Sequence, residues 1–204
     1  VLNSVVVALG ASPIALVLGT LSAFALQRFK FFGRDVVNLL IILPITLPGI
    51  VTGVALSNTF YQVLDPIGIK VGYAGMIIAH ATFCVVMVFN NVIARLRRMN
   101  PNLEEASMDL GAGLGQTFRL VTFPQFRSAF IAGGLLAFAL SFDEVVVTIF
   151  TAPPGVETLP LWFMNQMARP NEANQVNVVA TIIILLSLIP VYFSQKAQSA
   201  SDAK

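Results

Sequence analysis

The sequence predicts an all-α membrane protein, a polytopic bundle of spanning helices. Of its 204 residues, 56% are hydrophobic and 11% charged, and the mean hydropathy is +0.82. An ordinary globular domain is about a quarter charged, so the deficit points to lipid as solvent. The apolar residues also gather in five stretches, 4–26, 36–61, 73–94, 129–150 and 176–193, each near the roughly 20 residues a helix needs to cross a bilayer. Finally, the basic residues between the stretches are one-sided. Arg28, Lys30, Arg34, Arg95, Arg97, Arg98, Arg119, Arg127, Lys196 and Lys204 fall on one side, and only Lys70 and Arg169 on the other. An excess of Lys and Arg marks the cytoplasmic face, so the C-terminus and the long loop over residues 95–127 are expected inside the cell.

Taken in order, the first stretch is almost uninterrupted. With five spans and an inward C-terminus, Val1 lies outside; an additional upstream helix would bring the N-terminus inside. The second stretch carries Leu43-Pro44-Ile45-Thr46-Leu47-Pro48-Gly49. Its two prolines share one face, and each removes a helix hydrogen bond. Broken helices are tolerated in membranes where they line protein or water, which makes Thr46 and Pro48 candidates for a transport pathway; the bland alternative is a kink that improves packing. The third stretch holds His80, the only histidine, which either bonds a neighbouring helix or serves a gate. Asn90 and Asn91 near its end are read as interhelical glue. Cys84 is alone, which excludes an intramolecular disulfide or a cysteine-rich metal site. No metal site is expected, and a net charge of +2 argues for no nucleic-acid partner.

Asp143 and Glu144 interrupt the fourth stretch. An acid at the bilayer centre costs about 2.5–3.5 kcal/mol on insertion scales, so the pair should not face lipid. At 1.5 Å per residue, Asp143 lies roughly 20 Å above the cytoplasmic end. Neighbours on a helix point about 100° apart, so one acid is free to face a cavity while the other bonds an adjacent helix. The pair is either structural or recognises a cation, with Phe138 or Phe142 adding cation–π attraction. After it, residues 158–167 suit a short interfacial helix, with Trp162 in an aromatic belt. The chain is read as one transmembrane domain over 1–195 and a frayed polar tail over 196–204.

The loop is the most specific feature. It reads Glu105-Ala106-Ser107, three residues, Gly111, nine residues, then Val121-Thr122-Phe123-Pro124. Asn100 suits an N-cap and Pro101 a first helical turn, and Glu104 and Glu105 complement the helix dipole. A helix over 101–110, an interruption at Gly111, Gly113 and Gly115 through positive φ, and a second helix over 116–122 ending before Pro124 would form a compact knob. An ordinary capped hairpin on the membrane surface is the plainer alternative. The run Gly111-Ala112-Gly113-Leu114-Gly115 is not a phosphate loop, because the dinucleotide-binding spacing is absent. No strand–helix–strand pattern surrounds it, and no P-loop sequence occurs.

This spacing resembles the EAA loop of ABC-importer permeases, with Ser107 at a position usually Ala and Phe123-Pro124 closing the motif in place of Leu-Pro. The resemblance implies a MetI-like type I importer fold, often of six spans, and hence one further helix upstream of Val1. It implies that the knob docks on a separate ATPase, with Glu105, Ala106, Ser107, Gly111, Leu114, Phe118 and Pro124 at the coupling surface and Leu103 and Leu110 adding apolar contacts. ATP and Mg²⁺ belong to that partner; this chain is expected to bind no cofactor and to catalyse nothing alone. Two ATPases, a second homologous permease (a heterodimer) and an external or periplasmic solute-binding protein complete the implied assembly, in a bacterial inner membrane. Residues 138–150, Pro154-Gly155, Thr158-Leu159-Pro160-Leu161 and 174–181 resemble the spermidine/putrescine-type branch, where two aspartates commonly stand at positions 143 and 144. A polyamine is the substrate this implies; another small organic amine, an amino-acid derivative or an opine is the alternative. Candidate pathway residues are Asp143, Glu144, Phe142, Thr46, Pro48 and His80. An ion-coupled secondary transporter, with Asp143, Glu144 and His80 as a proton relay, leaves the loop unexplained; a membrane scaffold or sensor without transport is a third reading, against which a charge-swap rescue between Glu105 and a basic ATPase residue would argue.

Overall fold

In the computed structural model, residues 1–68, 72–100, 102–169, 174–183 and 185 are described, and these form helices and connecting turns without strands. The chain divides into two compact units, Val1–Leu159 and Pro160–Lys204.

Three long helices make the core of the first unit. They are α1 (Leu2–Arg28), α4 (Gly72–Leu96) and α7 (Phe123–Asp143), and each packs on the other two. Their contact faces are built from small residues. Ala8, Ala11, Ala15 and Ala23 of α1 are buried, with Ala79 and Cys84 of α4 and Ala137 of α7. A Cβ on Gly19 would stand 2.8 Å from the Val85 carbonyl oxygen and from Val88 Cβ, and one on Gly133 would stand 3.1 Å from Val88 Cα. Val88 is therefore gripped between two glycines on opposite neighbours. Close backbone approach, rather than hydrophobic expulsion from water, is what holds helices together in lipid. The Cys84 thiol donates to the Ala137 carbonyl at 3.2 Å, in keeping with a small core residue.

The second stretch is sharply broken. Helices α2 (Arg34–Thr46) and α3 (Gly49–Thr59) meet at 108° when α3 is taken on through its last turns to Ile67. Pro48 disfavours helical geometry at the residue before it, and Leu47 is extended, with ψ 146°. Beyond α3 the chain continues through a π turn, Phe60–Leu64, and a 3₁₀ turn, Asp65–Ile67.

Two expected boundaries are corrected. The fourth stretch is not one helix over 129–150: α7 ends at Asp143, Glu144 is extended, and a short α8 (Val146–Thr151) follows. Nor does the second loop helix stop before Pro124. The loop contains α5 (Asn102–Asp109) and α6 (Leu114–Thr117), and α6 runs through a π turn, Phe118–Thr122, directly into α7. Proline lacks an N–H and crowds the carbonyl four residues back. Here that carbonyl belongs to Leu120, inside the widened turn, where the Phe123 N–H reaches back to the Phe118 oxygen. The π turn thus absorbs the proline and lets one helical path run from Leu114 to Asp143, 30 residues.

In the second unit, α9 (Leu159–Met167) carries Trp162 in edge contact with Phe163, 5.4 Å between ring centres. The fifth stretch is described as α10 (Asn174–Ile183). Apart from residue 185, the rest of that stretch and the tail over 196–204 lie outside the described residues, as do Lys70 and Pro101.

Candidate functional site

Two sites emerge, one at each end of α7. At its start, the knob is capped as its sequence suggests. The Asn102 N–H donates to Asn100 Oδ1 at 3.1 Å. At the far end of α5, the Ala112 N–H bonds the Ser107 carbonyl and the Gly111 N–H bonds the Met108 carbonyl, the paired closure of a Schellman cap. Gly111 takes φ +87° there. Gly113 and Gly115 do not; Gly113 sits at φ −70°, and its N–H is accepted by Gln116 Oε1 at 3.1 Å. Only one glycine of the three is thus required by backbone geometry. Ser107 Oγ lies 3.1 Å from Thr117 Oγ1, so the hydroxyl at the position usually occupied by Ala pins the two knob helices together.

The two loop glutamates differ in burial and partners, although both line the cavity beside Arg28. Glu105 is exposed, beside exposed Ala106. Glu104 turns inward: its carboxylate pairs with Arg28 at the end of α1, and Oε1 also accepts from Thr122 Oγ1 at 2.7 Å. The Arg28 bond is the main cause that holds the Glu104 carboxyl below the usual carboxylate range; partial burial opposes it and the Thr122 bond assists. Arg28 also lies over the Phe24 ring at 5.2 Å. Phe24 meets Phe118 and Phe126, and Phe123 meets Phe126 and Phe130. Phe118 is therefore half committed to an inner aromatic cluster. Leu110 and Leu114, 90% and 80% exposed, are the apolar residues the knob presents outward, with Leu103 half exposed and Pro124 exposed in the first turn of α7.

At the other end of α7, Glu144 lines a cavity of about 160 Å³ with Pro44, Ile45, Leu47, Gly49, Thr52, Phe83, Leu140 and Val147. The broken α2–α3 elbow forms one wall and the α7–α8 break the other. Glu144 caps α8, since Oε1 accepts the Val147 N–H at 2.9 Å. Thr52 Oγ1 is buried without a hydrogen-bond partner. Pro48 brings no N–H to the Pro44 carbonyl four residues back, although the Leu43 carbonyl accepts from the Leu47 N–H and the Thr46 hydroxyl; a helix C-terminus also carries partial negative charge. One carboxylate, one unpaired hydroxyl and a negative helix end around a small cavity suit an ammonium group, which has donors only.

Other expectations fall elsewhere. Asp143 is exposed, and among the described residues it has no ion-pair partner. Phe142 stacks on Phe138 at 6.1 Å, and it is Phe83 that faces the cavity. Thr46 is exposed, with its hydroxyl on the Leu43 carbonyl, and Pro48 shapes the elbow from an exposed position without lining the cavity. His80 is fully buried and is glue: Nδ1 lies 2.9 Å from Ser141 Oγ on α7 and Nε2 3.0 Å from Thr148 Oγ1 on α8. Asn91 bonds its own helix at the Met87 carbonyl and packs beside Gly133 of α7, and Asn90 is exposed; among the described residues neither makes a hydrogen bond to another helix. Sequence reasoning missed Arg28, Glu104, Thr122 and Thr52. Local spacing holds no signal that Arg28 pairs with Glu104, 76 residues on, or that Thr52 shares a cavity with Glu144.

A family model described as binding-protein-dependent transport system inner membrane component matches residues 15–201. The chain is 34% identical to the spermidine/putrescine transport system permease protein PotC of Haemophilus influenzae, over 95% of this chain and 74% of that protein. It is 34% identical to the putrescine transport system permease protein PotI of Escherichia coli K12, over 96% and 72%. A crystal structure of an amino acid ABC transporter aligns with a TM-score of 0.68 at 17% identity, covering 93% of this chain and 86% of that one, which shows a shared fold. The family match over residues 15–201 and the identity to these permeases over nearly the whole chain make it a member of the binding-protein-dependent transport system inner-membrane components, the ABC-importer permeases.

Proposed function

We propose that this chain is the importer subunit through which a small organic cation, a polyamine such as putrescine or spermidine, crosses the inner membrane. The elbow cavity carries this reading. Its one carboxylate, Glu144, stands with the unpaired Thr52 hydroxyl, the C-terminal end of α2 and the Phe83 ring, and these groups attract an ammonium and repel an anion. The substrates named for PotC and PotI support the same chemistry. At about 160 Å³, the cavity takes the ammonium end of a chain rather than a long polyamine whole. Asp143, exposed at the adjoining turn, adds negative charge along the path.

The knob is the surface on which a separate ATPase acts. Glu105 and the exposed Leu110 and Leu114 offer it an acid beside two apolar contacts, and α7 connects that surface to the cavity. ATP and Mg²⁺ are bound by the ATPase pair. A second permease, homologous rather than identical, pairs with this chain, and a solute-binding protein delivers the cation from outside. The basic ends of the helices and the C-terminus then face the cytoplasm. His80 argues against a proton relay, since both ring nitrogens face hydroxyls and neither faces an acid.

The test is uptake of labelled putrescine into proteoliposomes holding the complete importer. Glu144→Gln removes a charged acceptor whose hydrogen bond is worth about 1.5–3 kcal/mol, so uptake should fall roughly ten- to a hundredfold. Affinity of the binding protein should stay unchanged. Wild-type uptake kinetics in Glu144→Gln would sink the cation-site assignment.

A further inference from the structure

We infer that Glu104 is a positioning residue that yokes the knob to α1, so that a displacement of the knob moves α1 together with α7. The inference rests on the reading of the knob as the ATPase-facing surface. It starts from connectivity. The knob is continuous with α7 through the π turn, and α4 leads into it through residues 97–100, with Arg95 Nε donating to the Gln125 carbonyl at 2.8 Å. No such covalent route leads from α1, because Arg28 and Glu104 are 76 residues apart. What joins α1 to the knob is side-chain contact: Arg28 to Glu104, and Phe24 to Phe118.

A single oxygen collects three elements. Glu104 Oε1, on α5, accepts from Arg28 on α1 and from Thr122 in the π turn. Charge-assisted bonds of this kind are about twice as strong as neutral ones, and the Glu104 side chain is only 12% exposed. The junction is also flanked by open space. A cavity of about 430 Å³ lies on one side, lined by Gln27, Leu96 and Met99 among others, and one of about 190 Å³ on the other; Arg28 and Glu104 line both. The Phe24–Phe118 ring contact and the packing of α1 on α4 and α7 run beside this tie, and Glu104 adds to them the one ion pair between α1 and α5 among the described residues. Neighbouring residues on a helix diverge by about 100°, which lets Glu105 face outward while Glu104 holds α1.

The experiment uses the complete importer in liposomes and reads ATP hydrolysis and putrescine uptake together. In Glu104→Gln and in Arg28→Met, the ATPase should still co-purify, and hydrolysis driven by the loaded binding protein should persist. Uptake per ATP should fall about fivefold, within the range that coupling mutations reach. The exchange Arg28→Glu with Glu104→Arg should restore it. Unchanged uptake per ATP in both single variants overturns the yoke, as does failure of the exchange in a monodisperse complex. Loss of the ATPase from Glu104→Gln also overturns it, by placing Glu104 in the docking surface itself. If instead Glu105→Arg leaves ATPase binding and uptake intact, the docking reading fails, and that outcome is separate from the yoke.

Discussion

Glu104 and Glu105 are adjacent and chemically identical, yet one is locked to Arg28 and Thr122 and the other stands in solvent. Direction on the helix, not residue type, separates them. Because Arg28 depresses the Glu104 pKa, the pair's contribution is fully present above the unfolded carboxylate range and fades only as pH falls through the folded value. Hydrogen-exchange protection of α5 should therefore be flat across neutral pH and drop in acid; a drop on going from neutral to mildly alkaline pH would contradict the pairing. His80 shows another such discrimination. Thr148 Oγ1 donates its one proton to the Glu144 carbonyl at 2.9 Å, so it accepts from His80, which places the ring proton on Nε2 and leaves Nδ1 to accept from Ser141. Replacing His80 by Phe takes from the Ser141 hydroxyl the acceptor it donates to, at about 1–3 kcal/mol, while Thr148 keeps its bond to the Glu144 carbonyl. A lowered melting temperature in detergent should register this, and an unchanged one would show that the clamp is dispensable.

Helical elements here are defined by how they are interrupted. At the knob, Gly111 is needed for its positive φ rather than for space, since a Cβ would meet nothing within 4 Å. An L residue in that conformation costs roughly 1–2 kcal/mol, whereas Pro is excluded, because it fixes φ near −65° and removes the N–H that bonds Met108. Gly111→Pro should abolish uptake while the binding protein still delivers cation to the complex. Gly111→Ala should be intermediate, and Gly113→Ala near wild type because its φ is already negative. Uptake assays on the three variants check the order; normal uptake in the proline variant would reject the elbow. In the membrane, Pro48 breaks the second span and Glu144 the fourth, and the two breaks meet around one cavity. Thr52→Val should remove its unpaired hydroxyl while keeping its shape, raising the putrescine concentration for half-maximal uptake severalfold, as the loss of about 1 kcal/mol of hydrogen bonding implies. No change would detach Thr52 from the site.

On the scale of the whole molecule, the importer reading predicts uptake that needs ATP and no ion gradient, measured in vesicles clamped at zero gradient; strict dependence on a gradient would overturn it. The bundle that this reading needs was largely legible in the sequence. Apolar length marks spans because the bilayer has a set thickness, and Asn100, Gly111 and Pro48 act on their own neighbours, so their caps, turn and break are readable locally. The 36–61 stretch announced its break through Pro48, while the 129–150 stretch hid its own, because extended Glu144 is stabilised by contacts with α8 and by His80, 64 residues away. The π turn at Phe118–Thr122 was hidden for the same reason that Pro124 misled: a proline stops a helix unless the preceding turn widens. By itself the sequence determined the helical class, the charge bias and the loop spacing, all of which arise from solvent and from near neighbours. Tertiary structure alone decided which acid faces the cavity, that Thr52 joins it, that His80 is glue and that Glu104 holds α1, because each depends on the direction of a side chain and on partners the chain brings back from far along its length.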